Sequence, residues 1–175
     1  MLYAAGALLH TRSQSFPICP SATRVLKDSE RSSCVAIRNE IADLAILRDA
    51  LKDFCTEHAV GSRTLMQLHV TLDEIVSNVI KYAWPEGGAH ELSVRMSAAP
   101  NRIQIEVIDD GQAFDPRNAT APPTPIAARR SRPGGLGLHM VKQLVDDIAY
   151  YRADGRNHTV LTKRRRARRQ IRDKH

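Results

Sequence analysis

Two polar residues four positions apart, Glu74 and Asn78, stand in a segment with helical periodicity. Side chains at this spacing lie on one helix face and can act together. The side-chain oxygen of Asn is a suitable ligand for Mg²⁺, which also takes phosphate oxygens, and a carboxylate one turn away can serve as a general base. Lys81, a further turn along, can neutralise phosphate charge. The alternative interpretation is a solvated polar helix face that binds nothing.

A second candidate site is the glycine-rich sequence GGLGLHMV at residues 134–141. Glycine lets the backbone approach an anion closely, and the first N–H groups of a helix favour negative charge, so phosphate binding is one interpretation. A tight junction between a loop and a helix is the other. No Gly-Lys-Ser/Thr follows, and no strand closely precedes it, so neither a Walker loop nor a dinucleotide fingerprint is indicated.

The third candidate is Asp109-Asp110-Gly111, at the end of a predicted strand. Asp and Gly favour turns, which gives this sequence a purely structural interpretation. In the functional interpretation, one carboxylate at the edge of the sheet accepts a hydrogen bond from the exocyclic amine of a buried purine. Composition alone leaves both carboxylates open for this role.

The helix that carries Glu74 and Asn78 is predicted from about Arg63 to Ala83, with Ser62 as a candidate N-cap. Pro85 and the glycines after it end the helix. Its apolar residues recur at helical spacing and form one stripe, opposite the polar residues. The residues of this stripe are Leu65, Leu68, Leu72, Ile75, Val76, Val79 and Ala83.

The other elements are predicted from periodicity and from turn residues. A strand at 34–37 precedes an amphipathic helix at 40–57. Alternating segments at 92–96 and 103–107 predict one antiparallel hairpin, and segments at 149–152 and 159–163 predict another. The segment 112–133 is rich in Pro, Ala and Arg without periodicity, which is typical of a lid or a binding loop.

The composition is that of one globular domain with two appendages, since the chain has 175 residues, of which 42% are hydrophobic and 26% charged. We assign residues 1–32 to a poorly ordered leader, 33–163 to the domain and 164–175 to a basic tail. Residues 163–175 contain eight Lys or Arg and one Asp, so the net charge of +7 belongs to the C-terminal end. Nucleic acid is therefore expected only through the tail. No run of about 18 apolar residues predicts a membrane span.

Taken in order along the chain, EIVSNVIKYAW, VIDDGQAFDP and GGLGLHMV resemble the nucleotide-binding sequences of the Bergerat-fold (GHKL) ATP-binding module. Within this superfamily they look most like the small stand-alone anti-sigma-factor serine/threonine kinases, and the Phe-Asp-Pro sequence is a particular point of similarity. The resemblance covers about residues 34–163. It implies an α/β two-layer sandwich, with a mixed or antiparallel sheet covered by helices on one face and with ATP and Mg²⁺ between helices and lid.

The resemblance also implies a role for each matching residue. Glu74 would be the catalytic base and Asn78 the Mg²⁺ ligand. Asp109, the first acid of the Asp-x-Gly pattern, would hold the adenine amine, and Gly111 would give the ring room. Residues 115–133 would form the ATP lid. The residues at the helix start whose amides would cradle phosphates are Gly135, Gly137, Leu138 and His139.

By the same resemblance, the chain would be an ATP-dependent protein serine/threonine kinase and an anti-sigma-type switch. It would transfer the γ-phosphate of ATP to Ser or Thr of a STAS-type antagonist, bind a sigma factor, and act as a cytoplasmic homodimer with no membrane contact. The three cysteines lack disulfide or zinc spacing, which also favours the cytoplasm. The alternative function is an ATP-binding regulatory module that sequesters a partner without phosphoryl transfer, which would not need Glu74.

Overall fold

The computed structural model describes residues 26–27, 32–118 and 135–165. Within these residues the strands form one sheet in the order β1-β2-β3-β4-β6-β5, and all neighbouring strands are antiparallel. The prediction of a mixed or antiparallel sheet is therefore confirmed in its antiparallel form. The strands are β1 Leu26–Lys27, β2 Ser32–Arg38, β3 Glu91–Ala99, β4 Arg102–Asp109, β5 Asp147–Ala153 and β6 Arg156–Arg164.

The described residues also contain α1 at Leu44–Glu57, after a 3-10 turn at Ile41–Asp43, then α2 at Ser62–Tyr82 and α3 at Gly135–Leu144. The expectation that Ser62 caps α2 is wrong. Gly61 is extended and takes the N-cap position, without any side-chain cap bond, so Ser62 is the first helical residue.

The helices cover one face of the sheet, and the core lies between the two layers. Val35, Val94 and Val107 are adjacent across β2, β3 and β4 and are all buried. Because side chains alternate along a strand, the residues two positions away point to the same layer. This arrangement confirms the predicted two-layer sandwich. Helix residues that pack in the same core include Leu47, Leu51, Leu72, Val76, Leu138 and Val141.

The opposite face of the sheet carries a polar cluster. The Oε1 atom of Glu106 accepts a hydrogen bond of 2.8 Å from the Tyr151 hydroxyl and lies 2.9 Å from Nδ1 of His158. The rings of Tyr151 and His158 stack at 4.5 Å. Since apolar residues fill the helix side and these polar groups the other, the sheet has a clear inner and outer face.

The hairpin of β5 and β6 brings a third strand next to the end of β4. Asp154 and Gly155 form its two-residue turn with φ of 50° and 75°, values that glycine adopts readily and Asp tolerates. The register of β4 with β6 then places Asn157 directly opposite Asp109. This pairing brings together residues 48 positions apart in the sequence.

The predicted leader and basic tail fall largely outside the described residues. Leu26–Lys27 of the predicted leader pairs with β2, whose first residue is Ser32. Among the described residues, no helix is both long and apolar enough to cross a membrane.

Candidate nucleotide-binding site

The Glu74 and Asn78 side chains are joined by hydrogen bonds on α2. The Asn78 Nδ2 atom donates to the Glu74 carboxylate at Oε1 and to the Glu74 backbone carbonyl, both at 2.8 Å. Asn78 is 9% exposed and Glu74 is half-buried. Since the donor end of the amide is used in this way, the acceptor oxygen of Asn78 is the atom left for a ligand.

The first turn of α3 lies directly on this pair. A Cβ atom added to Gly137 would overlap the carboxyl group of Glu74. Only a residue without a side chain permits this approach while the Glu74 carboxyl keeps its position, which explains the glycine at 137. The contact brings the N–H groups at the start of α3 close to the polar face of α2. This face had been expected to meet water or a ligand, and the structure covers part of it with a helix start.

The Asp109 carboxylate lies at the end of β4 and is 5% exposed. Its Oδ1 atom accepts a hydrogen bond from the Gly111 backbone N–H at 3.0 Å and another from Asn157 Nδ2 at 2.8 Å. Burial raises the pKa of the Asp109 carboxyl, and these two hydrogen bonds oppose that change. Within the described residues the Oδ2 atom has no hydrogen-bond partner, so it is the oxygen that can accept from a ligand.

The neighbouring Asp110 lies in a different environment. It is exposed, and its Oδ1 atom accepts a hydrogen bond of 2.9 Å from the indole N–H of Trp84. The Trp84 ring in turn stacks on His90 at 4.6 Å. The burial of Asp109 and the exposure of Asp110 thus distinguish two carboxylates that composition could not separate.

The turn after Asp109 is attached to the end of α2. A Cβ atom at Gly111 would lie 2.7 Å from the carbonyl oxygen of Ala83, inside van der Waals contact. The next residue, Gln112, donates its backbone N–H to the same oxygen at 2.8 Å and its side-chain amide to the Tyr82 carbonyl at 2.6 Å. These contacts hold the Asp109 turn and the polar face of α2 in one fixed arrangement.

The remaining predicted residues lie around the start of α3 and the end of α2. Gly135 is the first residue of α3, and Leu138 is buried in the core, which anchors this turn to the domain. His139 and Lys81 are exposed. A phosphate contact from Leu138 can therefore involve only its backbone N–H. The Lys81 side chain is exposed, so its ammonium group can change position by rotation of the side chain.

The predicted lid, 115–133, is described only at its first residues. The Asp115 backbone carbonyl accepts a hydrogen bond of 3.1 Å from the Asn118 N–H, which closes a 3-10 turn at Pro116–Asn118. The Asp115 carboxylate accepts one of 2.9 Å from the Arg117 N–H. The Lys142 ammonium on α3 donates to the Arg117 carbonyl at 2.8 Å. The start of the lid is therefore attached to α3, and its residues 119–133 lie outside the described part of the chain.

Sequence reasoning missed the groups behind Asp109. Asn157, Tyr150 and Arg152 belong to a hairpin that was assigned only as a strand pair. The Asn157 Oδ1 atom accepts hydrogen bonds from the Tyr150 hydroxyl at 2.8 Å and from Arg152 Nη1 at 2.6 Å. No sequence signal indicated this role, since Asn157 lies in a run of polar residues at 156–159, and only the register with β4 places it next to Asp109.

The fold thus presents a glycine at a helix start beside a carboxylate–amide pair, and a buried carboxylate at a strand end. The family model described as "Histidine kinase-like ATPase domain" matches residues 37–163, and the chain belongs to this family. Membership confirms the predicted Bergerat-type fold and implies ATP as the nucleotide.

Among its relatives are kinases of the kind that the sequence resembled. The serine/threonine-protein kinase BtrW of Bordetella bronchiseptica is 30% identical over 65% of this chain and 82% of its own length. The serine-protein kinase RsbW of Listeria monocytogenes is 26% identical over 66% of this chain and 76% of its own length. RsbW of Bacillus subtilis is 25% identical over 60% of this chain and 68% of its own length. These relatives confirm the resemblance to anti-sigma-factor serine/threonine kinases and support the prediction of a protein serine/threonine kinase.

A solved Mycobacterium tuberculosis structure of the RsbU and RsbW domains of Rv1364c also overlaps the chain. The overlap covers 77% of this chain and 34% of that one, with 18% identity and a TM-score of 0.49.

Proposed function

We propose that this protein is an ATP-dependent serine/threonine kinase that acts as an anti-sigma-type switch. Its substrate would be a Ser or Thr hydroxyl on a STAS-type antagonist, its second partner a sigma factor, and its working form a cytoplasmic homodimer. The observation that carries the proposal is the Glu74–Asn78 pair, held at 2.8 Å beneath the start of α3. A base and a metal-ligand oxygen are thereby adjacent to a helix N-terminus that favours phosphate.

The residues available to hold the nucleotide fit ATP at both of its ends. At the base, the Asp109 Oδ2 atom has no partner within the described residues and can accept the adenine amine. At the phosphates, Gly135 and Gly137 open α3, and the amides of Leu138 and His139 follow in its first turn. Lys81, exposed on α2, adds a positive charge.

When bound, MgATP would supply the phosphoryl group with ADP as the leaving group, and its Mg²⁺ would neutralise negative charge, so the protein mainly positions the reactants. Glu74 accepts the proton of the attacking hydroxyl. Asn78 holds the Glu74 carboxylate through its amide N–H and offers its own oxygen to Mg²⁺, as a hard oxygen ligand does. The Asn78 amide would thus orient the catalytic base, Glu74, through its N–H and bind the metal through its oxygen.

The test is phosphoryl transfer from γ-labelled ATP to a panel of STAS-domain proteins, with wild-type protein and a Glu74→Gln variant. Gln keeps an oxygen that can accept from Asn78 but cannot take a proton. Transfer should fall at least about 100-fold, the usual contribution of a general base, while ATP affinity measured by calorimetry stays within about threefold. Glu86→Gln is the matched control, because Glu86 is exposed in the loop after α2.

Two results would contradict the proposal in different ways. Undiminished transfer by Glu74→Gln would remove Glu74 as the base. Binding of ATP and of a partner by the wild-type chain, with no transfer to any STAS protein, would support a module that only sequesters its partner.

A further inference from the structure

Both ends of the Asn157 amide are occupied inside the protein. Its Nδ2 atom donates to the Asp109 carboxylate at 2.8 Å and to the Gln112 carbonyl at 3.0 Å. Its Oδ1 atom accepts from the Tyr150 hydroxyl at 2.8 Å and from Arg152 Nη1 at 2.6 Å. Asn157 is only 3% exposed, so water does not compete for these bonds.

The donors on the far side fix which way the amide points. A guanidinium can only donate hydrogen bonds, so the group that faces Arg152 must be the amide oxygen. The amide nitrogen then has to face Asp109. The same Arg152 atom also donates to the Gly111 carbonyl at 3.0 Å, which ties it to the turn as well as to Asn157. The direction of donation therefore runs from β5, through Asn157, to Asp109.

This direction decides what Asp109 can do. Its Oδ1 atom accepts hydrogen bonds from two N–H donors, those of Asn157 and Gly111. Because both donors point at this oxygen, protonation of Oδ1 is unfavourable. An ionised carboxylate only accepts hydrogen bonds, whereas a protonated one can also donate. An ionised Asp109 can accept a hydrogen bond from the exocyclic amine of a purine. A protonated Asp109 could instead donate a hydrogen bond to a carbonyl oxygen at the same position of the purine ring.

We propose that Asn157 is a positioning and specificity-determining residue, which keeps Asp109 an acceptor and so makes the site select a purine with an exocyclic amine over one with a carbonyl oxygen there. The proposal rests on the proposed ATP site and adds the residue that selects the base.

The charges around Asp109 give this role a pH dependence. Burial and the neighbouring Asp110 raise the pKa of the Asp109 carboxyl, and the bonds from Asn157 and Gly111 and the charge of Arg152 lower it. Tyr150, the other titratable group of the network, acts through its hydroxyl on Asn157. If the Asn157 donor is lost, fewer interactions oppose the rise in the Asp109 pKa that burial causes, so Asp109 becomes protonated at a higher pH.

The experiment compares ATP with inosine triphosphate, which carries a carbonyl oxygen in place of the adenine amine. Affinities are measured by calorimetry for the wild-type chain, Asn157→Leu and Arg152→Met. The wild-type chain should prefer ATP by about tenfold or more, as expected for a hydrogen bond to a charged acceptor. The preference should fall to about threefold or less in Asn157→Leu, and to an intermediate value in Arg152→Met, where the amide can reverse. Asn101→Leu, in the exposed β3–β4 turn, is the control.

A second measurement needs no nucleotide. The carboxyl carbon resonance of Asp109 is followed by NMR through a pH titration, and Asn157→Leu should titrate at a higher pH than the wild-type chain. A general loss of structure would lower affinity for both nucleotides and would leave no reason for their ratio to change. If Asn157→Leu does not fold, Arg152→Met, altered at an exposed position, provides both measurements.

The results separate this proposal from the one on which it rests. Failure of the folded wild-type chain to bind ATP would overturn the proposed function and this proposal with it. Binding of ATP with an undiminished preference over inosine triphosphate in both variants would overturn the role of Asn157 alone, as would an unchanged titration of Asp109.

Discussion

The two ends of the candidate nucleotide site are held in different ways. The base end, formed by Asp109, Gly111 and Asn157, lies on paired strands, and its polar groups bond to one another across β4, β6 and β5. The transfer end, formed by Glu74, Asn78 and Gly137, lies where two helices meet. Both hydrogen bonds that the Asn78 amide donates stay within α2, and the contact with α3 is made by a glycine.

This difference matches the two tasks that we propose. Recognition of a base requires donors and acceptors in fixed positions, which a bonded sheet provides. Phosphoryl transfer requires groups that are close to the phosphates and can adjust as charge moves, and a helix start reached through a glycine leaves that freedom. Substitutions at the transfer end should therefore change rates, and those at the base end should change affinity or stability.

The largest effect is expected from Gly137→Ala. The added methyl group overlaps the Glu74 carboxyl, which must swing away from Asn78. Because the displaced atoms end a flexible side chain, the fold should survive, while phosphoryl transfer should fall about 100-fold or more. Transfer assays and a thermal melt measure the two effects. Gly61→Ala is the control, since a Cβ there meets nothing within 4 Å. Normal transfer by Gly137→Ala would show that the position of Glu74 is unimportant.

Asp109→Asn should act on affinity instead. The Asn oxygen can accept from Asn157 and Gly111 as Asp does, but the position of Oδ2 would then hold an amide that donates, and it would repel the adenine amine. ATP affinity measured by calorimetry should fall about 10- to 100-fold with no loss of melting temperature. Asp110→Asn, at the exposed carboxylate, should stay within about threefold. Equal losses in the two variants would place base recognition elsewhere.

Gly111→Ala tests how tightly the base end is attached to α2. The added methyl group meets backbone atoms of Ala83, which cannot move without disturbing the helix end. We expect the free energy of unfolding to fall by about 1–3 kcal/mol, as for other overpacked sites. Urea denaturation measures the change, again beside Gly61→Ala. An unaltered midpoint would mean that this turn can shift freely.

The smallest effect is a pH dependence of stability. Burial raises the pKa of Asp109 above its ordinary value of 3.8. At a pH between the ordinary pKa, which applies to the unfolded chain, and the raised pKa of the folded chain, the folded chain binds more protons than the unfolded chain. The Asp109 contribution to stability is therefore greatest at low pH and declines as pH rises through the folded pKa. As pH falls from 8 towards 4, the wild-type chain should therefore gain stability relative to Asp109→Asn. Melting curves of the two proteins without nucleotide show this gain, and a constant difference would contradict it.

Periodicity was enough to predict the main helices and hairpins, although not β1, which lies in the segment assigned to a leader. The helix expected at about 63–83 is observed at Ser62–Tyr82, and both predicted hairpins are present, each somewhat longer than expected. The two-residue turn at Asp154-Gly155 also follows from its residue types. These features depend on residues close in the sequence, which is why the sequence reveals them.

The sequence by itself therefore determined the elements, the apolar stripe of α2 and, through resemblance, the residues that could meet a nucleotide. Tertiary structure alone decided that Asp109 is buried and Asp110 exposed, that α3 covers Glu74 through Gly137, and that Asn157 lies behind Asp109. The physical reason is range. Helix and turn preferences act over a few residues, whereas burial, close approach and network polarity arise only when distant strands and helices pack together.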